Sequence, residues 1–479
     1  MNDPTTISFK RSLGLLDATM VVVGILIGSG IFILSSVITR NVGSAGWLVT
    51  IWAFAGLMTL CAALSYGELS GMFPKAGGQY VYLKEAYNPL IGFLFGWGYL
   101  SVIQTAGIAA VAVAFAKFTA YLAPQFSEDL VAFDFGFLKI SSAQLMAMFI
   151  IILLTYINSK GINIGKTVQT SLTSIKLVSL LGLIVFGFIM MRADVWNTNW
   201  KNAWSLHKAS ANGVIETYTS TAALGAIAAA ISCSLFSSQG WNNVAFIAGE
   251  IKNPKRNIGL SLLFGTIIVT SLYIATNLMY TAVLPMNEIA YADKDRVAVA
   301  ASNIIFGTSG SIIIAIIIMI STFSSDNGLI LAGARIYFSM ARDGIFFRKA
   351  GELNKNAVPG FALWMQCVIA CVWCLSGKYS QLVAMISFVV VLFYVLTITG
   401  IIILRKYKPH LERPYRAVGY PLLPIIYIVL GSALCILLIY YKPQYTWTGL
   451  IIVLAGIPIY YISIATQKKY NQIIPKVNS

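Results

Sequence analysis

The sequence predicts an all-α membrane protein of about twelve transmembrane helices, and three observations carry the prediction. Hydrophobic residues make up 58% of the 479 positions and charged residues only 10%, whereas soluble domains hold roughly 45–50% and about 25%. Mean hydropathy is +0.79. The apolar residues fall in long unbroken runs, at 13–38, 46–71, 90–122, 142–157, 168–191, 219–249, 259–284, 300–340, 361–377, 380–404, 421–441 and 447–466. A spanning helix needs about 20 apolar residues. Barrel strands would instead alternate in segments of about ten residues, and a lone strand leaves backbone groups unsatisfied in hydrocarbon. Twelve spans of that length occupy roughly half of the chain, so no large solvent-facing domain is expected. A water-soluble enzyme, a disordered chain and an array of polar repeats are excluded.

The first run follows a short polar segment, Met1 to Arg11, and continues to about Val37. A signal peptide carries only about 7–15 apolar residues, so a retained first span is expected. The net charge of +16 arises from 33 Lys and Arg against 17 Asp and Glu. These basic residues lie between the apolar runs, as in cytoplasmic loops of membrane proteins, and no nucleic-acid partner is implied. Placing the N-terminus inside assigns 22 Lys and Arg to the cytoplasmic side, from Lys10 and Arg11 through Arg405, Lys406, Lys408 and Arg413 to Lys476. Nine fall outside, Arg40, Lys139, Arg192, Lys201, Lys208, Lys294, Arg296, Lys378 and Lys442. That bias predicts both termini in the cytoplasm of a multi-pass cell-membrane protein. A polar outer loop of weak order is expected from Asp194 to Tyr218.

Six Cys all sit in apolar runs, where a thiol behaves as a small hydrophobe. Cys367, Cys371 and Cys374 have helical spacing but no His or acid close in sequence, so no metal site is expected. His207 and His410 lie in polar loops. With no nucleophile–base pair, neither an enzyme nor a cofactor is expected.

Chemistry gathers at two interruptions. The first span holds Gly24-Ile25-Leu26-Ile27-Gly28-Ser29-Gly30-Ile31-Phe32, with two glycines flanking a serine. Glycine costs a helix about 1 kcal/mol against alanine and permits close approach or unwinding; tight packing through small residues is the alternative. The sixth span repeats the feature in Phe236-Ser237-Ser238-Gln239-Gly240-Trp241-Asn242-Asn243. Broken helices at matching positions in two halves point to a transporter binding site. Half-helix N-termini suit a carboxylate and unwound carbonyls suit an ammonium, so together they describe a site for an α-amino acid.

Lys176 lies within the fifth run, where an ammonium costs about 2.5–3.5 kcal/mol on insertion scales. A functional role is preferred over snorkelling: the ammonium takes the place of a coupling Na⁺, or it titrates as burial disfavours its charge. Ser321 and Ser325, in the eighth run, share a helix face and offer hydroxyls to it. Asp326 is the acid well inside that run; it either partners a cation or lines a watery path. Gln104 and Thr105 are candidates for cavity lining. Lys117, near the outer end of the third run, is read as snorkelling, and Asp17 as pairing with a helix N-terminus. The glycine-rich stretch Gly67 to Tyr80 lacks a strand or P-loop pattern and reads as an inner loop packed against a gate.

The joint pattern of Gly24 to Phe32, Gly67 to Tyr80, Lys176, Gly240 to Asn257 (GWNNVAFIAGEIKNPKRN), Ala332 to Gly344 (AGARIYFSMARDG) and Arg413 to Pro421 (RPYRAVGYP) resembles the amino acid–polyamine–organocation superfamily. Within it, the chain looks most like bacterial relatives of the L-type exchangers. The resemblance implies two inverted five-helix repeats, 13–191 and 219–404, with discontinuous first and sixth helices, followed by two appended helices at 421–466. It implies that Ile27, Gly28, Ser29 and Gly30 hold the substrate carboxylate. Phe236, Ser237 and Gln239 meet the amine, with Phe236 as an aromatic gate. It implies that Lys176, with Ser325 as its eighth-span contact, stands as a cation in Na⁺-independent members. Gln239 and Asp326 depart from the family pattern, which leaves side-chain preference and proton coupling open.

The resulting expectation is a Na⁺-independent amino acid transporter in a lipid bilayer, either an exchanger or H⁺-coupled, working by alternating access. A polyamine or cationic amino acid antiporter and a non-transporting amino-acid sensor are the alternatives. Animal L-type members pair with a glycoprotein through an outer Cys between the third and fourth spans. The stretch from Ala123 to Ile140 has no Cys, so no disulfide-linked heavy subunit is expected.

Overall fold

The computed structural model describes residues 11–75, 77–136, 139–210, 216–376 and 379–473, without the side chains of 162–169, 376, 380–381 and 466–473. Lys10, Lys378 and Lys476 of the charge count, and Ala76 of the glycine-rich loop, lie outside them. Among the described residues, ten helices are long and apolar enough to cross a membrane. One bent pair and the shorter helix Gly360–Ser376 complete about twelve spans.

The first span is two helices, Leu15–Leu26 and Gly30–Val42, bent by 41° at the break between them. Gly43, at φ 71°, ends it. The second span, Ala45–Met72, leads to a short helix, Gln79–Ala86. The third runs from Pro89 to Leu122 through a π turn at Tyr99–Ile103. Its start is fixed by Pro in the first turn and by Asn88, whose side chain accepts from the Ile91 N–H at 3.0 Å. Ser141 and Gln144 form a reciprocal capping box that opens the fourth span, Ser142–Ser159. The fifth is Ile162–Ile189. The sixth is Ser220–Ser237 followed, after a break, by the turn Asn243–Phe246. The seventh is Pro254–Val283.

The eighth run is a single 46-residue helix, Val297–Arg342, kinked where Gly307 adopts φ 71°. The tenth to twelfth spans are Tyr379–Tyr407, Leu422–Tyr441 and the pair Pro443–Leu454 with Gly456–Ile473. Of the outer loop from Asp194 to Tyr218, residues 211–215 lie outside the described residues. The loop holds the helix Ala193–Lys201 and a pair of short strands, His207–Lys208 with Glu216–Thr217. It is pinned to the start of the second span, where the Ala203 carbonyl accepts from the Gly46 N–H at 3.0 Å and the Ser44 hydroxyl at 2.8 Å. Backbone polar groups near a membrane need such partners, and here they come from a neighbouring helix end.

The helix Leu15–Leu26 packs on the fifth, seventh and eighth spans, and Gly30–Val42 packs on Ser220–Ser237. One end of the bundle is laced by ion pairs between motifs far apart in sequence. Glu68, fully buried, holds Arg405 through two bonds of 2.9 and 2.6 Å and receives the Ala417 N–H at 2.7 Å. Glu250 meets Arg335 at 3.1 Å with both side chains buried. Asp343 takes the Tyr80 hydroxyl at 2.5 Å and the Lys84 ammonium at 2.7 Å. At the opposite end Lys117 faces Asp295 at 3.7 Å with its side chain only 14% exposed. The snorkelling expected of it therefore ends on a carboxylate that also holds Arg40, at 2.6 Å.

Candidate functional site

The two breaks face one another. After Leu26 the chain leaves helical geometry at Ile27, which has φ −74° and ψ 76°. It restarts as a helix at Gly30. A Cβ on Gly30 would overlap the Ser237 side chain, so the first and sixth spans cross there only because the residue is glycine. In the sixth span the helix stops at Ser237, and Gly240 takes φ +85°, where a Cβ would run into Ile25. Both the conformation and the space require glycine at that position.

Between the breaks lies a cavity. Gly28, Ser29, Gly30, Phe236, Ser237, Gln239 and Gln104 line it, with Tyr99, Asn242, Asn243 and Tyr394. The helix Gly30–Val42 starts at this cavity, and the first N–H groups of any helix lack partners within it. Ser29 leaves them uncapped; its hydroxyl instead meets that of Tyr379 at 3.0 Å. From the other side, the C-terminal end of Ser220–Ser237 presents carbonyl oxygens. A positive dipole end and a negative one thus address the same space, which is complementary to a carboxylate and an ammonium on one small molecule.

Aromatic and amide groups bound the cavity. The Phe236 ring stands edge-on to Tyr379, with centroids 6.1 Å apart and planes at 88°. Some 15 residues further along the tenth span, about 22 Å by helical rise, the Tyr394 hydroxyl donates to Asn242 at 3.0 Å. Asn242 in turn donates to Gln79 at 2.9 Å, and Gln79 donates to Thr397 at 2.9 Å. The Tyr99 hydroxyl donates to Asn243 at 2.9 Å. Gln104 lines the cavity while its amide donates to the Leu329 carbonyl. Thr105 is fully buried, with its hydroxyl on the Leu100 carbonyl at 2.6 Å, and it does not line the cavity.

Behind the first break stands Lys176, 1% exposed. Its ammonium donates to the carbonyl oxygens of Gly24 and of Ile27, the latter at 2.9 Å. It also lies 3.2 Å from the Ser325 hydroxyl and 3.4 Å from the Ser321 carbonyl. Ser325 reaches the Gly24 and Ile27 carbonyls at 2.8 and 3.0 Å, and the Ser321 hydroxyl donates to Ile27 at 2.9 Å. The ammonium therefore sits at the negative end of the half-helix Leu15–Leu26 and joins the first, fifth and eighth spans. Ile27 acts here through its backbone; its side chain is fully buried. Asp326 is not among the residues lining the cavity, and no ion pair joins it to Lys176 among the described residues.

Several participants carried no local sequence signal. Tyr273, on the seventh span, places its hydroxyl 2.6 Å from the Leu26 carbonyl and 3.1 Å from that of Ser237, bridging both breaks. Tyr379 and Tyr394 are likewise tyrosines within apolar helices, which look like core until a partner is seen. Asn242, Asn243 and Gln79 were visible as polar residues inside quoted motifs, but nothing showed which way they faced.

A bundle of about twelve apolar helices, two of them interrupted face to face around one cavity, defines a membrane transporter. The chain belongs to the amino acid permease family, whose profile matches residues 13–464. It is 28% identical over 481 residues to the b(0,+)-type amino acid transporter 1 of Homo sapiens, covering 99% of this chain and 92% of that protein. It is 29% identical over 466 residues to the large neutral amino acids transporter small subunit 2 of Oryctolagus cuniculus, covering 97% and 82%. These relatives are transporters, not enzymes. They also correct one expectation. The absence of a Cys between Ala123 and Ile140 excluded a disulfide-linked heavy subunit, yet one relative is by name the small subunit of a transporter. The exclusion does not stand, because a missing thiol in one loop removes one possible crosslink and leaves every non-covalent surface for association intact.

Proposed function

We propose that this chain is a Na⁺-independent transporter of neutral amino acids that works by alternating access, with exchange as its basic mode. The observation that carries the reading is the Lys176 ammonium held among the carbonyls of the broken first span. The Lys176 side chain occupies a place where unwound carbonyls in such folds coordinate a coupling ion. The paired helix ends favour a zwitterion. No acidic residue is among the described residues lining the cavity, so a second positive charge on a cationic amino acid or polyamine would find no carboxylate among them. Relatives named for transport of large neutral amino acids agree with that preference.

In this reading Ser29 and Gly30 bind the carboxylate through backbone N–H groups beside Gly28, whose own N–H donates to the Leu26 carbonyl at 2.7 Å, Ser237 and Gln239 receive the amine, and Phe236 closes over the substrate. The break-bearing helices then rock against the rest, with both termini and the ion-paired end in the cytoplasm. The test is uptake of radiolabelled amino acids by purified protein in liposomes. Uptake that depends on amino acid inside the vesicle and is indifferent to Na⁺ is expected. Saturable binding with no uptake would instead describe a sensor.

A further inference from the structure

Asp326 is the feature this reading leaves unexplained. It lies about halfway between the Gly307 kink and Arg342, roughly 24 Å from the Arg342 end by helical rise. Its exposure is 1%, and neither carboxylate oxygen has a hydrogen-bond partner among the described residues. Among the described residues, no charged side chain of the helices packed on the eighth span pairs with it. The fourth span has no charged residue. The third has only Lys117, which faces Asp295 at 3.7 Å. Lys176 of the fifth is engaged with the first span. From the ninth span the thiols of Cys371 and Cys374 are within its electrostatic reach, and thiols are weak donors. No group of three or more His, Cys, Asp and Glu capable of holding a metal ion occurs among the described residues.

An unpaired carboxylate buried in such a place is far more costly than the neutral acid, so the side chain takes a proton instead. Its neighbours in sequence give that proton a route to the transport cycle. Ser325 clamps the first-span carbonyls at 2.8 and 3.0 Å. Asn327 accepts from Asn158 of the fourth span at 2.8 Å. A charge appearing at residue 326 therefore acts on the helix turn that fixes the Lys176 cluster.

We propose that Asp326 is a proton-binding site, and that one proton crosses with the amino acid when the protein works against a gradient. The proton comes from water on the side to which the carrier opens, forms an O–H bond on one carboxyl oxygen, and returns to water on the other side. Nothing else is consumed. The proposal rests on the transporter reading above and extends it from exchange to net, proton-driven uptake.

The test is accumulation of a radiolabelled neutral amino acid in Na⁺-free liposomes under an inward gradient of one pH unit. With one proton per substrate, that gradient supports up to about tenfold accumulation. The Asp326→Asn protein, which keeps the shape of the neutral acid, is expected to exchange amino acids at close to the wild-type rate and to accumulate none. A wild-type protein that exchanges but does not accumulate would overturn the proposal, as would an Asp326→Asn protein that accumulates like wild type. Should the variant fail to fold, a pH-sensitive dye reporting proton entry on adding substrate to wild-type vesicles decides the matter alone. Wild-type protein that neither exchanges nor accumulates would overturn the transporter reading itself.

Discussion

The Lys176 ammonium donates to the Ile27 carbonyl at 2.9 Å, joining two residues 149 positions apart. The same carbonyl receives the Ser321 hydroxyl at 2.9 Å and lies 3.0 Å from that of Ser325. One peptide oxygen of the unwound first span is thus the meeting point of the fifth and eighth spans. Lys176→Met keeps much of the length of the side chain and removes the charge. It leaves the Gly24 and Ile27 carbonyls short of a charged donor, at about 1.5–3 kcal/mol per bond. Amino acid exchange in liposomes is expected to fall more than about tenfold, with a lower Tm. Unchanged exchange would mean that the cluster is incidental.

Gly30 is expected to be intolerant of any side chain. The added methyl of Gly30→Ala overlaps Ser237, and overpacking of this kind costs about 1–3 kcal/mol. Exchange and Tm should both fall. Trimming the opposing side chain in a Gly30→Ala, Ser237→Gly double variant should restore part of the loss. No recovery would place the defect elsewhere than in the crossing of the two spans.

Phe236 covers the cavity from the side of Tyr379. Phe236→Ala is expected to raise the half-saturation concentration for exchange and slow turnover with little change in Tm, while Phe236→Tyr keeps most of the activity. A Phe236→Ala protein with wild-type kinetics would remove the ring from any gating role.

The buried pair of Glu250 and Arg335 makes a prediction about stability. Removing one partner of a buried ion pair destabilises by about 3–5 kcal/mol, whereas replacing both with apolar residues is often far milder. Thermal unfolding in detergent should therefore rank Glu250→Leu and Arg335→Met below a protein carrying both changes. Additive losses would show that the two side chains act independently.

Most of the architecture was legible because a bilayer leaves the chain few options: long apolar runs become helices, and their number follows. The two breaks were legible for a related reason, since Gly28, Gly30 and the polar run from Ser237 to Asn243 are poor lipid-facing helix. In the structure both breaks line one cavity. Lys176 stood out through the cost of its charge, and its contacts with Gly24 and Ile27 give it a local explanation. Facing was less accessible. Thr105, adjacent to Gln104, turns its hydroxyl back to Leu100 because the helix carbonyl is nearer than the cavity. Tyr273 hides in an apolar helix, and only its 2.6 Å approach to the Leu26 carbonyl reveals it. The anchoring of the outer loop at Ala203 was hidden because its partners, Ser44 and Gly46, lie about 160 residues away along the chain. The question of a partner subunit was not readable from the cysteines, because association through surfaces leaves no thiol signature.

The most direct measurement of the central claim is exchange of a neutral amino acid in liposomes as Na⁺ is replaced on both sides by a large organic cation. With the Lys176 side chain filling the cation position, the rate should be the same in both media. A rate that collapses without Na⁺ and returns on its addition would contradict the account, because a bound metal ion, and not the Lys176 ammonium, would then complete the first-span break.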